Sequence, residues 1–324
     1  MFCRTESLSI VENGKRPHIT VVGDLILDRY LIGDATKLNP EQPGVVIRVD
    51  KEEDRLGGAA AVAMIAAGLG ARVTLAGVVG RDEAGDRLRR LIDAHGIEPH
   101  LWIGDRPTTW KQRIVARGQL RPDRCDREVT MPISDLAARF LSEVPLGDML
   151  LVSDYGKGIC TSRLLQTLGD RARAASSPIL VDPARGRDWS DYGQVTLIKA
   201  NRIEALGIAG QETRPLAMAR RLADEHRCSV VVTYGGHGMV VAEREGETWY
   251  FPAKATDVRD VCGAGDTVLV ALGLALLDGN SLQASVRLAI SAAAHQVAQL
   301  GTVGVNHSMG CTLFPVLALV DDNA

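Results

Sequence analysis

The sequence predicts a doubly wound α/β protein, built on a mostly parallel sheet and carrying a small antiparallel β lid. Short runs of continuous Val, Ile and Leu, such as "HITVVGD" (18–24), "RVTLAGVVG" (72–80) and "MLLVSD" (149–154), alternate with helix-period segments. Strands that are apolar on both faces belong to parallel sheets covered on both sides. Two stretches break the rhythm: "GVVIRVDKEEDRL" (44–56) and "TTWKQRIVARGQLRPDRCDREVT" (108–130) alternate apolar and charged residues. That period of two marks strands with one wet face. Together they predict a lid inserted from about 26–55 and 106–130 into a single domain spanning 1–324.

In chain order, the first strand ends in Gly-Asp at 23–24. "GGAAAVAMIAAGLG" (57–70) then reads as a small-residue helix closed by glycine. After the strand at 72–80, "DEAGDRLRRLIDAHG" (82–96) is an amphipathic helix with a glycine stop. Further strands follow at "SPILVDP" (177–183), "QVTLIKAN" (194–201) and "CSVVVTYGG" (228–236). Open α/β sheets bind ligands beyond the carboxyl ends of their strands. The residues at those ends are Asp24, Asp28, Asp154, Lys157, Asp182, Asn201, Glu204 and the glycines 235, 236 and 238.

Composition narrows the function classes. The 324 residues are 46% hydrophobic and 24% charged, with a net charge of −3, which gives no basic footprint for nucleic acid or an anionic membrane. The first residues lack a secretory apolar core, and the longest apolar stretch, 267–277, is far short of the ~20 residues that span a bilayer. Six scattered cysteines form no CxxC pair, so reduced thiols and a cytoplasmic protein are expected. "VVGDLILD" has one glycine where a dinucleotide fingerprint needs three, and no Walker A motif occurs.

The most informative stretch is "RDVCGAGDTVLVALGLALLDG" (259–279), where Gly263, Ala264, Gly265 and Asp266 precede an apolar run. Helix-start N–H groups lack backbone partners and the dipole there favours negative charge, so a glycine-lined helix start fits an anion. Asp266 would repel that anion; it fits a general base that deprotonates a hydroxyl beside it. Taken alone, the aspartate could equally be a first-turn acid that stabilises the helix.

The order of motifs adds to this reading. Gly57-Gly58 at a helix start is followed by "GVVGRDEAGDRLRRLIDAHGIE", "NRIE", "TYGGHGM" and "DVCGAGD". This set resembles the ribokinase-like, or PfkB, sugar kinases and covers nearly the whole chain. The resemblance implies Asp266 as catalytic base, with Gly263, Ala264 and Gly265 as the anion hole. It implies ATP contacts at Lys199, Asn201, Glu204, Thr233, Gly235, Gly236 and Gly238, and Mg2+ held by Asn201 and Glu204 through water. "VVGDLILDRY", "LNPEQPGVVIRV", "GGAAAVA", "LVSDYGKG" and "VDP" are similar to the heptose 7-phosphate kinases of lipopolysaccharide core biosynthesis. Those kinases phosphorylate the anomeric hydroxyl of D-glycero-β-D-manno-heptose 7-phosphate and are often fused to a nucleotidyltransferase. No HxGH-type motif is present here, so a stand-alone kinase is expected.

Under that resemblance Asp24, Asn39, Gly57, Gly58 and Asp154 contact the sugar, while Lys111, Arg113 and Lys157 meet its phosphate. A homodimer closed across the lid is also implied. Three departures qualify the match: Ala61 where those kinases carry Asn, "KAN" (199–201) in place of "TPN", and a tail after Thr302 unlike the family's ending. Cys262, beside the anion hole, is a candidate reactive thiol. Another carbohydrate or nucleoside kinase of the same family, or a non-catalytic sugar-binding module, are the competing readings.

Overall fold

The structure is a computed structural model that describes residues 16–38, 40–41, 45–116, 123–210, 214–254, 258 and 261–298. A nine-stranded sheet forms its centre. It contains β1 (His18–Gly23), β4 (Arg72–Gly80), β5 (Glu98–Gly104), β8 (Met149–Ser153) and β9 (Ile179–Asp182). β10 (Leu197–Asn201), β11 (Ser229–Thr233), β12 (Met239–Ala242) and β13 (Thr248–Phe251) complete it. The spatial order is β13-β12-β11-β10-β9-β8-β1-β4-β5, with only the β11–β12 and β12–β13 pairs antiparallel.

The continuous apolar runs have a direct explanation. Successive strand side chains point to opposite faces, and both faces are covered. Ile19, Val21, Leu75 and Leu151 pack on one side against α1 (Ala59–Gly68), α2 (Glu83–Ala94), α7 (Ala264–Leu277) and α8 (Leu282–Val297). Val22, Leu150, Val152 and Val181 pack on the other side, under α3 (Asp135–Ser142), α4 (Ser162–Ala174), α5 (Arg202–Ala209) and α6 (Pro215–His226). Strand order reverses between β1 and β8, so the crevice expected for ligands opens past Gly23 and Ser153.

The small sheet has the order β3-β2-β6-β7, from β2 (Leu25–Leu38), β3 (Val45–Gly58), β6 (Thr109–Ala116) and β7 (Asp123–Arg127). Its two hairpins are antiparallel, whereas β2 and β6 run parallel where the hairpins join. Period-two alternation reports a wet face and not strand direction, so the parallel seam was not readable from it. Asp54 of β3 pairs with Arg29 of β2 at 3.0 Å within the lid and fastens it to the body through Arg87 of α2 at 2.5 Å.

Where lid meets body the backbone packs tightly. Gly58 has φ +59°, and a Cβ there would lie 2.2 Å from the Asp24 carbonyl oxygen. Gly58→Ala is therefore expected to cost more than about 2 kcal/mol by urea denaturation. Gly169→Ala, inside α4 with open space around it, should instead stabilise by about 0.5–1 kcal/mol.

Candidate active site

The carboxyl ends of β8 to β11 face the start of α7 across a cavity of about 900 Å³. Gly263 caps α7 at φ 73° with no side-chain acceptor, which leaves the first turn facing the cavity. Asp266 sits in that turn and is buried. Burial, with the negative charges of Asp182 and Asp28, pushes its carboxyl up to about 7, opposed by Lys199 and by a hydrogen bond from Tyr155. The Tyr155 hydroxyl donates to Asp266 Oδ1 at 3.3 Å. A buried carboxylate that titrates near neutrality is suited to taking a proton.

Lys199, on β10, is buried and pairs with Asp182 of β9 at 2.5 Å. Burial alone would lower the ammonium's pKa; the Asp182 contact outweighs it and raises the value. Its Nζ also reaches 3.4 Å from the Gly265 carbonyl, and a Cβ on residue 265 would come within 3.1 Å of it. The glycine thus makes room for a cation at the helix start.

Asn201 and Glu204 line the same cavity but are bound to each other. The Asn201 side chain accepts from the Ile203 and Glu204 amides, at 2.9 and 3.0 Å, and donates to Glu204 Oε1. Glu204 Oε2 accepts from the Asn201 amide at 2.7 Å. This is a capping box that opens α5. Burial and the neighbouring Asp182 raise the Glu204 pKa, and a cation beside the two carboxylates would relieve their repulsion. Among the described residues no three His, Cys, Asp or Glu groups converge as metal ligands. Thr233, Gly235, Gly236 and Gly238 line the cavity's far wall.

On the lid side the structure differs from expectation. Asp24 is 1% exposed, and its carboxylate is taken by three backbone amides: Tyr155 at 2.8 Å, Lys157 at 3.0 Å and Ile159 at 3.2 Å. It shapes the 154–159 loop, its Oδ2 accepting two of these amides and its Oδ1 one. Asp154, although at the cavity edge, is likewise committed: it accepts from the Gly156 amide and the Tyr192 hydroxyl and pairs with Arg187 at 3.2 Å. Gly57 and Gly58 serve close packing, since a Cβ on residue 57 would lie 2.6 Å from Asp28 Oδ2. Arg113 pairs with Asp28 at 2.7 Å and Lys157 with Glu128 at 2.6 Å. Lys111 has no carboxylate at ion-pair distance among the described residues; its Nζ lies 5.2 Å from the Tyr155 ring centroid, and burial lowers its pKa. Asn39 lies outside the described residues. Ala61 is buried in α1 and presents no polar atom, and Cys262 is half-buried.

Sequence reasoning missed the roles of Asp28, Tyr155 and Asp182. Asp28 and Asp182 stood among the strand-end residues, and Tyr155 lay inside "SDYGKG", but their partners come from distant segments.

The sequence profile of the pfkB family carbohydrate kinases matches residues 16–308. The chain is 41% identical over 299 residues to the bifunctional protein HldE of Caulobacter vibrioides, covering 88% of this chain and 60% of that protein. It is 39% identical over 295 residues to the HldE of Pseudomonas aeruginosa strain UCBPP-PA14, covering 89% and 61%. The chain thus spans about three fifths of the length of these curated relatives. Phosphofructokinase-2 from Escherichia coli, in complex with substrates and products, superposes with TM-score 0.76 at 20% identity, over 94% of this chain and 100% of that one. Ribokinase from Arabidopsis thaliana, complexed with ribose and ATP, gives 0.70 at 18%, over 92% and 99%. These two likenesses establish the ribokinase-like fold. With its profile match spanning most of the sequence, the chain belongs to the pfkB family of carbohydrate kinases, phosphotransferases that take an alcohol as acceptor.

Proposed function

We propose that this kinase transfers the γ-phosphoryl group of ATP to the anomeric hydroxyl of D-glycero-β-D-manno-heptose 7-phosphate, giving the 1,7-bisphosphate used in lipopolysaccharide core synthesis. The observation that carries the reading is Asp266, buried where the cavity, the lid and an uncapped helix start meet. Asp266 removes the proton of the attacking hydroxyl, and the first turn of α7, through Gly263, Ala264 and Gly265, neutralises charge on the migrating phosphoryl. Lys199 faces the same point and offsets negative charge there. Thr233, Gly235, Gly236 and Gly238 bound the nucleotide's share of the cavity. Asn201 and Glu204 would hold a hydrated Mg2+, which would neutralise phosphate charge. The 7-phosphate falls to Lys111, Arg113 and Lys157, of which Lys111 has its charge least committed.

The similarity to HldE proteins supports heptose as the sugar, and that part of the reading rests on proteins of which this chain covers about three fifths. Ala61 favours a second reading, another carbohydrate or nucleoside kinase of the same family, because the side chain that would reach a sugar hydroxyl is missing there. A single kinase domain in the cytoplasm, working as a homodimer, completes the proposal. The homodimer is supported by Leu38, Val45 and Val49, which the small sheet leaves exposed.

ADP release measured with heptose 7-phosphate, fructose 6-phosphate, ribose and adenosine should give the highest kcat/KM with the first. A higher value with another acceptor would reassign the substrate. Asp266→Asn is expected to bind ATP and sugar yet lose ~10²–10⁴-fold in kcat, and parental turnover would remove Asp266 from the mechanism. Lys111→Ala should raise KM for the phosphosugar about tenfold or more and leave KM for ATP within about twofold, as the loss of one charge-assisted phosphate contact implies. Stability supplies an independent check. Folded Asp266 keeps its proton to about pH 7, well above the ordinary value of 3.8, so the folded state loses stability as pH rises between the two. Asp266→Asn removes that penalty. Its unfolding free energy should exceed the parent's at pH 8, by at most about 4 kcal/mol, with the gap closing toward pH 4.

A further inference from the structure

The loop that follows β8 ends its first turn in Tyr155, a residue that the motif reading passed over. Its side chain touches both halves of the site. The hydroxyl donates to Asp266 Oδ1 at 3.3 Å, and the ring centroid lies 5.2 Å from Lys111 Nζ on the lid strand β6. The residue is 36% exposed, so a face of it is open to the cleft. Its backbone is fixed: Asp24 accepts from the Tyr155, Lys157 and Ile159 amides, and Asp154 accepts from Gly156. A side chain anchored in this way meets its partners with little conformational entropy left to lose.

We propose that Tyr155 is a positioning residue: its hydroxyl aims and holds the Asp266 carboxylate, while its ring seats the Lys111 ammonium over the cleft. This rests on the reading of Asp266 as the base. The groups facing Asp266 are Asp182 at the end of β9, Lys199 on β10, Asp28 on β2 and Tyr155 on the loop. The two aspartates favour its protonated form, whereas Lys199 and Tyr155 favour the carboxylate. Lys199 is already paired with Asp182. Among the described residues the Tyr155 hydroxyl is the only side-chain hydrogen-bond donor to Asp266. It stays a donor, because the negative charge of Asp266 raises its own pKa well above the usual tyrosine value. Losing that hydrogen bond therefore moves Asp266 toward its inactive, protonated form.

Ring and hydroxyl separate cleanly by substitution. Tyr155→Phe keeps the ring and removes one oxygen. With heptose 7-phosphate as acceptor, the acid limb of its kcat/KM profile should shift to higher pH by about half a unit or more. Its KM for the sugar should stay within about twofold of the parent's. Tyr155→Leu removes both contacts and should raise that KM by a factor similar to Lys111→Ala, the double variant being less than additive. A readout independent of turnover is the 13C-carboxyl resonance of Asp266, assigned by its loss in Asp266→Asn and titrated without substrate. Its midpoint should rise by about half a unit or more in Tyr155→Phe. An unchanged midpoint, or superimposable pH profiles, would overturn the role of the hydroxyl. A Tyr155→Leu sugar KM equal to the parent's would overturn that of the ring. Failure of the base reading has a different signature, parental turnover in Asp266→Asn, and leaves the carboxyl titration free to report on the contact itself.

Discussion

The site depends on one buried carboxylate that organises the loop beside it. Asp24 stands where strand order reverses and binds the amides of residues 155, 157 and 159, three donors from one short loop. Burial and the charge of Asp154 push its pKa up to about 6, and the backbone donors pull it back. An aspartate with this many amide partners is a template on which a loop is wound. The conformation it selects sends Tyr155 toward α7 and Lys157 toward the lid, where it pairs with Glu128. Asp154 lies next to it and is stabilised separately, by Arg187, Tyr192 and the Gly156 amide. Two adjacent buried charges are tolerated because each has its own set of donors.

The charges of the site fall into two groups joined at Asp266. On the cavity side, Lys199 sits between Asp182 and the start of α7. On the lid side, Lys111 and Arg113 of β6 lie beside Asp28 of β2, which pairs with Arg113. Asp266 feels Asp182 from one group and Asp28 from the other. A ligand that neutralises either group changes how readily the central carboxyl holds its proton. Family membership supplies the class of reaction, and this arrangement supplies a reason to propose the base here, in the first turn of α7.

The fold was legible because its signals are local. Val/Ile/Leu runs, glycine stops and period-two alternation each report on a few neighbouring residues. The GAGD stretch was legible for the same reason, since a glycine-capped helix start with a first-turn acid lies within four positions. What the sequence hid was the partner of each polar residue. Asn201 and Glu204 read as an ion-holding pair, and their spacing is equally that of the capping box they form. Asp24 read as a sugar ligand because it ends a strand; its amide partners lie more than 130 positions away. Tyr155 and Asp28 gain meaning only beside Asp266 and Arg113, contacts that no periodicity encodes. The parallel join of β2 and β6 was hidden likewise, since alternation is the same in both strand directions.

The way the small sheet is rooted has a mechanical consequence. Asp24 alone separates β1 from β2, and β3 runs straight into α1 at Gly58, so no hinge of loop residues separates the β2–β3 ribbon from the body. Its base is further braced by Asp54, Arg29 and Arg87. The register shifts of the β2–β3 ribbon fall farther out, between Ile32 and Gly33 and between Ala35 and Lys37, where bulges loosen a ladder and let it bend. The β2–β3 ribbon is therefore a cantilever, stiff at its root and compliant toward its tip. Lys111 and Arg113, level with Asp28 and Tyr30 in register, ride on the stiff part.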